Sequence, residues 1–148
     1  MDNYLDQFSK PLRIEKTRLA TIFWLNPRDS KKGRLFIPIY DERLPLVFKI
    51  QYAYISKFLE KDNASGNHYH KIKEEILVPL RGTFSFYLED VNSHEQETFE
   101  LNGNDNKAIY VRTGVSHKVI SRGETGILLV LASVPSSTED EVEYNIIS

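Results

Sequence analysis

Three of the four histidines stand in one arrangement. Asn67-His68-Tyr69-His70 is followed by Glu75 and Gly82, with His117 much further along the chain. Residues two apart on an extended segment point to one face, so His68 and His70 present both imidazoles to the same side. Gly66 and Asn67 permit a sharp turn into that segment. Glu75 opens the next apolar run, Ile76-Leu77-Val78-Pro79-Leu80, and an antiparallel return would set its carboxylate beside the rings. Neutral imidazoles plus one carboxylate suit zinc, iron, manganese, nickel or copper, and spacing alone does not choose among them. The same groups can move protons, because imidazole titrates near neutral pH. The alternative is a solvated pair of surface histidines; a core-like strand ending in Gly82 weighs against it.

Such residues need a rigid frame, and the periodicity supplies one. In Phe48-Lys49-Ile50-Gln51-Tyr52-Ala53-Tyr54 and again in Thr83–Glu89, large apolar side chains alternate with smaller or polar ones, the pattern of a half-buried strand. Further strands are expected at Leu19–Leu25, Gly33–Tyr40, Glu75–Leu80, Glu97–Leu101, Lys107–Val111, His117–Ser121 and Gly126–Ser133. Turn signals separate them at Asn26-Pro27, Asp62–Asn67, Arg81-Gly82, Asn102–Asn106, Thr113-Gly114 and Arg122-Gly123. Roughly nine short strands with turns every 8–12 residues point to an all-β antiparallel sandwich or barrel. No stretch has amphipathic helical spacing, and there is no internal repeat or interior linker.

At 148 residues the chain reads as a single domain, 1–148, with a core over about 19–134. Residues 1–10 read as a loose arm or an exchanged edge strand, and 135–148, with Glu139, Asp140, Glu141 and Glu143, as a solvated acidic tail or short surface helix. Nineteen basic against 21 acidic residues leave a formal charge of -2, so no basic field argues for nucleic acid or an anionic membrane. Cysteine is absent, which removes disulfides, thiolate metal sites and cysteine nucleophiles and fits a cytoplasmic setting. The first ten residues lack the apolar stretch of a signal peptide. The longest apolar run, Ile127–Ala132, is far short of the roughly 20 residues that span a bilayer.

The spacing resembles the cupins. His-x-His-x4-Glu-x6-Gly is their first motif, and His68–Gly82 matches it, with Asp62 at the place of the usual leading glycine. Their second motif, Pro-x-Gly-x-x-His-x-x-x-Asn, is similar to Arg112–Ser121. Gly114 and His117 are kept, while Arg112 and Ser121 replace the proline and the asparagine. The resemblance implies a double-stranded β-helix, or jelly-roll, with His68, His70, Glu75 and His117 facing inward. Two sugar-modifying groups of cupins look similar in more detail. Gly66-Asn67-His68-Tyr69-His70, Thr113-Gly114-Val115-Ser116-His117 and Gly123-Glu124-Thr125 resemble the C-terminal cupin domain of capsular-polysaccharide enzymes that epimerise a nucleotide-linked 4-keto sugar. That likeness implies zinc on the positions of His68, His70, Glu75 and His117. Asp29–Leu35, Pro45–Phe48 and His68-x-His70-Lys71 resemble the dTDP-4-keto-6-deoxyhexose 3,4-ketoisomerases, which work without metal and use the second histidine of the pair as base. Ser65 stands where those enzymes have arginine, and Glu75 where they have an amide; a carboxylate completes a donor set and favours metal.

Both likenesses imply chemistry next to a ketone. A 4-keto group acidifies the C3 proton, and a base removes it to give an enediolate. Reprotonation of C3 from the other face gives an epimer, and protonation of C4 moves the ketone. His70 is the expected base, with His68 beside it. If His70 is instead a ligand, a tyrosine such as Tyr54 or else Lys71 would carry the proton. Tyr52, Arg34, Arg81 and Arg112 are candidates for holding the nucleotide and its diphosphate. Tyr52 and Tyr54 have core packing as their alternative reading, and the arginines that of solvated strand-end charges. Tyr69 should point away from the rings, His94 should be exposed and idle, and Trp24 should cover a core edge or subunit contact. The expected ligand is a nucleotide sugar, the expected cofactor a divalent metal (zinc first) or none, and the expected assembly a homodimer covering exposed sheet edges. A metal-dependent dioxygenase, another isomerase, or a non-catalytic sugar-binding protein are the competing functions on this fold.

Overall fold

The structure is a computed structural model, and it describes residues 10–29, 33–39 and 48–146. Among the described residues thirteen strands follow in order: β1 (Arg13–Lys16), β2 (Ala20–Trp24), β3 (Arg28–Asp29), β4 (Leu35–Phe36), β5 (Tyr52–Phe58), β6 (Ala64–His70), β7 (Glu75–Arg81), β8 (Thr83–Asp90), β9 (Gln96–Asn102), β10 (Lys107–Val111), β11 (Val115–Ser121), β12 (Gly126–Ala132) and β13 (Glu141–Glu143). A 3₁₀ turn at Gly103–Asp105 is the only helical element among the described residues, so none is long and apolar enough to cross a membrane.

Two antiparallel sheets face each other. One runs β1-β2-β10-β7-β12-β5 and the other β13-β6-β11-β8-β9, with β3-β4 as a separate small ribbon. Between them Phe58, Leu77, Phe84, Phe86, Leu88, Ile109, Val119, Leu128 and Val130 form a closed apolar core. A second apolar layer covers the outer face of the six-stranded sheet, where Phe23, Ile76, Val78 and Tyr110 pack with Ile37, Ile39, Phe48 and Ile50. This is the all-β architecture expected from the alternating pattern, in the jelly-roll form that the resemblance to the cupins implies.

Several boundaries differ from the sequence reading. The strand expected over 48–54 runs instead from Tyr52 to Phe58. Alternation carries on to Phe58, whose ring is buried against Phe84, whereas Phe48 and Ile50 belong to the outer layer. Of the strand expected at Gly33–Tyr40, the described residues 33–39 form only Leu35–Phe36. Residues 1–9, most of the expected arm, lie outside the described residues, as do 30–32 and 40–47, which carry parts of the Asp29–Leu35 and Pro45–Phe48 likenesses.

The acidic C-terminal stretch is not a solvated tail. Its strand β13 pairs with β6, and Asp140 is buried. The Asp140 carboxylate accepts the backbone N–H groups of Lys71 (3.0 Å), Ile72 (2.6 Å) and Lys73 (3.0 Å). Three backbone donors make burial of this carboxylate favourable, and charge counting along the chain cannot see them.

The turn expected at Gly66–Asn67 is a bulge inside β6. His117 pairs with His68, but the next residue, Lys118, pairs with Gly66, so Asn67 is the extra residue. Gly66 and Asn67 adopt φ of 93° and 62°, and a Cβ on Gly66 would lie 2.3 Å from the His117 carbonyl oxygen. Gly66→Ala is therefore expected to lower stability by about 2 kcal/mol or more in urea unfolding, through strain and forced separation of β6 from β11. Gly123→Ala, where an added Cβ meets nothing within 4 Å, should leave the midpoint within experimental error.

Candidate active site and metal centre

The bulge sets the direction of the imidazoles. Past it, His68 stands directly across from His117 on β11, and His70 follows two residues later on the same inward face. Glu75 enters from the opposite sheet as the first residue of β7. The ring centroids of His68 lie 4.8 Å from those of both His70 and His117, and His70 and His117 are 5.5 Å apart. His70, His117 and Glu75 side chains are 5%, 7% and 3% exposed, against 22% for His68. The four side chains singled out by spacing thus converge between the sheets, with His68 nearest to solvent.

Glu75 Oε1 lies 3.1 Å from His70 Nε2 and 3.3 Å from His117 Nε2. Neither approach is aligned as a hydrogen bond, for Glu75 Oε1, both ring nitrogens of His70 and His117 Nδ1 are buried without a hydrogen-bond partner. Atoms that crowd together without pointing at one another are aimed at a common centre. A tetrahedral ion with ligands about 2.0–2.1 Å away has ligand–ligand edges of about 3.4 Å, close to the separations seen. The donor atoms of His68, His70 and His117 all fall within 4.8 Å of one another. The cavity that His68, His117 and Glu75 line with Tyr54, Ser56 and Ser65 holds about 40 Å³, room for an ion or a few waters but not a sugar ring. By donor type, spacing and cavity size these residues fit a divalent metal.

The electrostatics agree. Burial works against the charged form of Glu75, but close contact with His70, and the charges of His117 and Lys73, outweigh it and hold its pKa near 2. Burial, with His117 and His70 alongside, lowers His68 to about 4, and burial lowers His117 as well. The site at neutral pH holds a carboxylate with His68 and His117 neutral, the forms that coordinate metal and accept protons. Burial and the neighbouring Glu75 raise the Tyr54 hydroxyl, keeping it protonated; it donates to Glu75 Oε2 at 3.4 Å.

The remaining expected residues separate. Tyr54 lines the cavity and is 36% exposed, so it stands at the opening rather than in the core; Tyr52 lies beside it, ring centroids 5.7 Å apart. Lys71 does not reach the cavity. Strand alternation turns it away from His70, into a separate groove with Ile72, Pro135 and Glu139. Arg81 closes the far end of β7, about 20 Å from Glu75 at roughly 3.3 Å per residue. Arg112 is occupied by Asp90 at 2.6 Å and lines a groove with Lys16–Thr21 and Tyr110. Arg34 is exposed next to β4 and does not line the cavity. Tyr69 points away from the rings, toward Tyr144. His94 is exposed as expected but not idle, since its Nδ1 contacts the Tyr144 hydroxyl at 3.2 Å.

Sequence reasoning missed Lys73, Asp140 and Glu141. Lys73 is buried 3.8 Å from Glu75 Oε2; its position two residues before Glu75 was a usable signal, because such residues share a face. Asp140 Oδ2 lies 3.6 Å from His70 Nδ1 and Glu141 Oε1 lies 3.4 Å from His68 Nε2. No local pattern joins these acids to histidines some 70 residues earlier in the chain; only the pairing of β13 with β6 does.

Protonation follows from these shifts. With metal chelated, the unfolded chain binds protons below pH 6.5 that folded His68 refuses until about 4. More protons on the unfolded state means stability falls as pH drops through that window. The depressed Glu75 adds a further fall between 4.5 and about 2. Urea unfolding of chelated protein should show the first decline between pH 6.5 and 4, and His68→Asn should make it shallower; an unchanged slope would count against a neutral, desolvated His68.

Known proteins match both fold and sequence. The family described as FdtA: WxcM-like, C-terminal, matches residues 16–145. None of the curated proteins matches. Among solved structures, a variant of the 3,4-ketoisomerase QdtA from Thermoanaerobacterium thermosaccharolyticum, in complex with TDP-4-keto-6-deoxyglucose, is similar with a TM-score of 0.74 and 23% identity over 86% of this chain and 89% of that one. A 3,4-ketoisomerase from Helicobacter canadensis gives 0.73 and 20% over 84% and 90%. The dTDP-4-dehydrorhamnose 3,5-epimerase of Elizabethkingia anophelis gives 0.76 and 19% over 87% and 78%. At these identities the structures establish the fold, while the family match over most of the chain establishes kinship: the chain belongs to the WxcM-like, C-terminal (FdtA) family.

Proposed function

We propose that this protein is an isomerase or epimerase of a nucleotide-linked 4-keto-6-deoxy sugar, acting by proton removal at C3 and serving surface-polysaccharide assembly. The observation that carries the reading is the inward convergence of His68, His70, His117 and Glu75 next to a protonated Tyr54, on the fold of solved dTDP-sugar epimerases and a ketoisomerase bound to TDP-4-keto-6-deoxyglucose.

The buried donors His70, His117 and Glu75, with His68 adjoining, would hold a divalent ion, zinc first by donor type. Such an ion supplies stabilisation of negative charge on a ketone or enediolate oxygen. Three buried protein ligands leave His68 to act differently. Neutral and nearest to solvent, it accepts the C3 proton and returns it to C4 to move the ketone, the part first expected of His70; for an epimer the proton would come back to C3 from a donor on the other face. The Tyr54 hydroxyl, at the opening and protonated, gives its proton to the sugar oxygen that gains charge and recovers it as the ketone re-forms. Because the cavity is so small, the sugar sits at its mouth with only the reacting edge turned inward, and Tyr52 lies where it can pack against the ligand. Arg81 and Arg112 are left out of the binding set by their positions.

The rest of the proposal is a cytoplasmic setting, consistent with a chain free of cysteine, and a homodimer formed along the exposed edge strands β1 and β5, which carry Ile14 and Ile55 outward.

The test is proton exchange. Incubated in D₂O with dTDP-4-keto-6-deoxyglucose, the protein should place deuterium at C3; no exchange across dTDP- and UDP-linked 4-keto sugars would overturn the reading. His68→Asn and Tyr54→Phe should each slow exchange by roughly 10²–10⁴-fold. Elemental analysis should find zinc or another divalent metal in the purified protein, lost in Glu75→Gln with His117→Asn. Exchange that proceeds at full rate in metal-free protein would confine the role of these donors to proton transfer.

A further inference from the structure

The connection between β6 and β7 buries a lysine. The Lys73 side chain is 3% exposed, and lysine is almost never fully buried unless it is paired. Its Nζ donates to Ser136 Oγ at 3.1 Å and lies 3.8 Å from Glu75 Oε2. The Tyr54 hydroxyl donates to that same oxygen. The other oxygen, Oε1, faces the Nε2 atoms of His70 and His117 and has no hydrogen bond. One carboxylate is thus divided: a cation and a hydroxyl attend Oε2, and two imidazoles attend Oε1.

We propose that Lys73 is a positioning residue that reserves Glu75 Oε2, so that Glu75 offers a metal ion one oxygen and not two. The inference rests on the metal reading of the site given above. A carboxylate free to turn can ligate through both oxygens and take up a further coordination position, whereas catalytic sites keep a position open for water or substrate. Lys73 prevents this from the far side. Its amine is held by Ser136, a residue of the segment that follows β12, and its charge draws the lone pairs of Oε2 away from the imidazoles. Outer partners of metal ligands orient them in this manner. A cation beside a metal site would ordinarily weaken it; here the amine sits on the oxygen turned away from the three rings, so orientation is gained with the carboxylate charge between the two cations.

Cobalt(II) reports the difference, because its visible absorption is intense in four-coordinate sites and weak in five- or six-coordinate ones. Full-length wild-type protein loaded with cobalt should give the intense four-coordinate spectrum. Lys73→Met, which keeps the length of the side chain but removes its charge, should retain cobalt with a clear loss of that intensity. Ser136→Ala, which removes only the anchor of the amine, should lose part of it. Circular dichroism identifies a folded variant; if Lys73→Met does not fold, the Ser136→Ala spectrum decides. Wild-type spectra in the folded, cobalt-loaded variants would overturn the role of Lys73 while leaving the metal reading standing. A wild-type protein that takes up no cobalt would overturn both.

Discussion

An ionised carboxylate inside a protein core loses its water, and Glu75 bears that loss at the centre of this molecule. The cost is bearable only where other groups take over from solvent. Here two imidazoles approach Oε1 while a lysine and a tyrosine attend Oε2. Every other feature of the site serves this arrangement. The β6 bulge turns His68 and His70 to the inner face, β7 starts at Glu75 itself, and Asp140 ties down the three backbone amides between them. A four-sided pocket of this kind cannot be loosened at one corner without leaving a buried charge or an unpaired donor at another.

The C-terminal segment is accordingly part of the site. After β12 closes the six-stranded sheet, the chain returns past Ser136 and Asp140 and adds β13 to the opposite sheet. Ser116 Oγ donates to the Tyr144 carbonyl, Tyr144 N–H to the Asn67 carbonyl, and the Tyr144 hydroxyl to Glu89. These bonds fasten the segment along β6 and bring Asp140 and Glu141 near His70 and His68. A stretch with four acids in five residues is an electrostatic liability in isolation; its charges are tolerable because one is saturated by backbone donors and another faces an imidazole.

Much of this was legible in the sequence, for reasons that differ by residue. Alternation over Thr83–Glu89 announces a strand because one face must be apolar, the short apolar run in Lys107–Val111 announces one buried on both faces, and both strands formed where expected. His68, His70 and Glu75 were legible because their spacing is local, and His117 because a Gly114-to-His117 pattern accompanies it. Tyr54 is legible, but the pattern starts its strand four residues too early: Phe48 and Ile50 alternate in step with it while packing on a different apolar layer. The arginines are a different case. Arg81 has the right charge and the right strand, yet it ends β7 where Glu75 begins it, and sequence chemistry carries no information about which end of a strand faces the ligand. Asp140, Glu141 and the bulge at Asn67 depend on long-range register, and register is settled only when the sheets assemble.

The fold alone hosts many activities, so the weight of the account rests on whether those donors meet at one ion. Diffraction from crystals of zinc-loaded protein, with data collected on both sides of the zinc absorption edge, tests this most directly. The account predicts one strong anomalous peak between the sheets, about 2.0–2.1 Å from Glu75 Oε1 and from Nε2 of His70 and His117. A peak bound elsewhere on the molecule, or a zinc-free pocket in which Glu75 has turned away from the imidazoles, would contradict it.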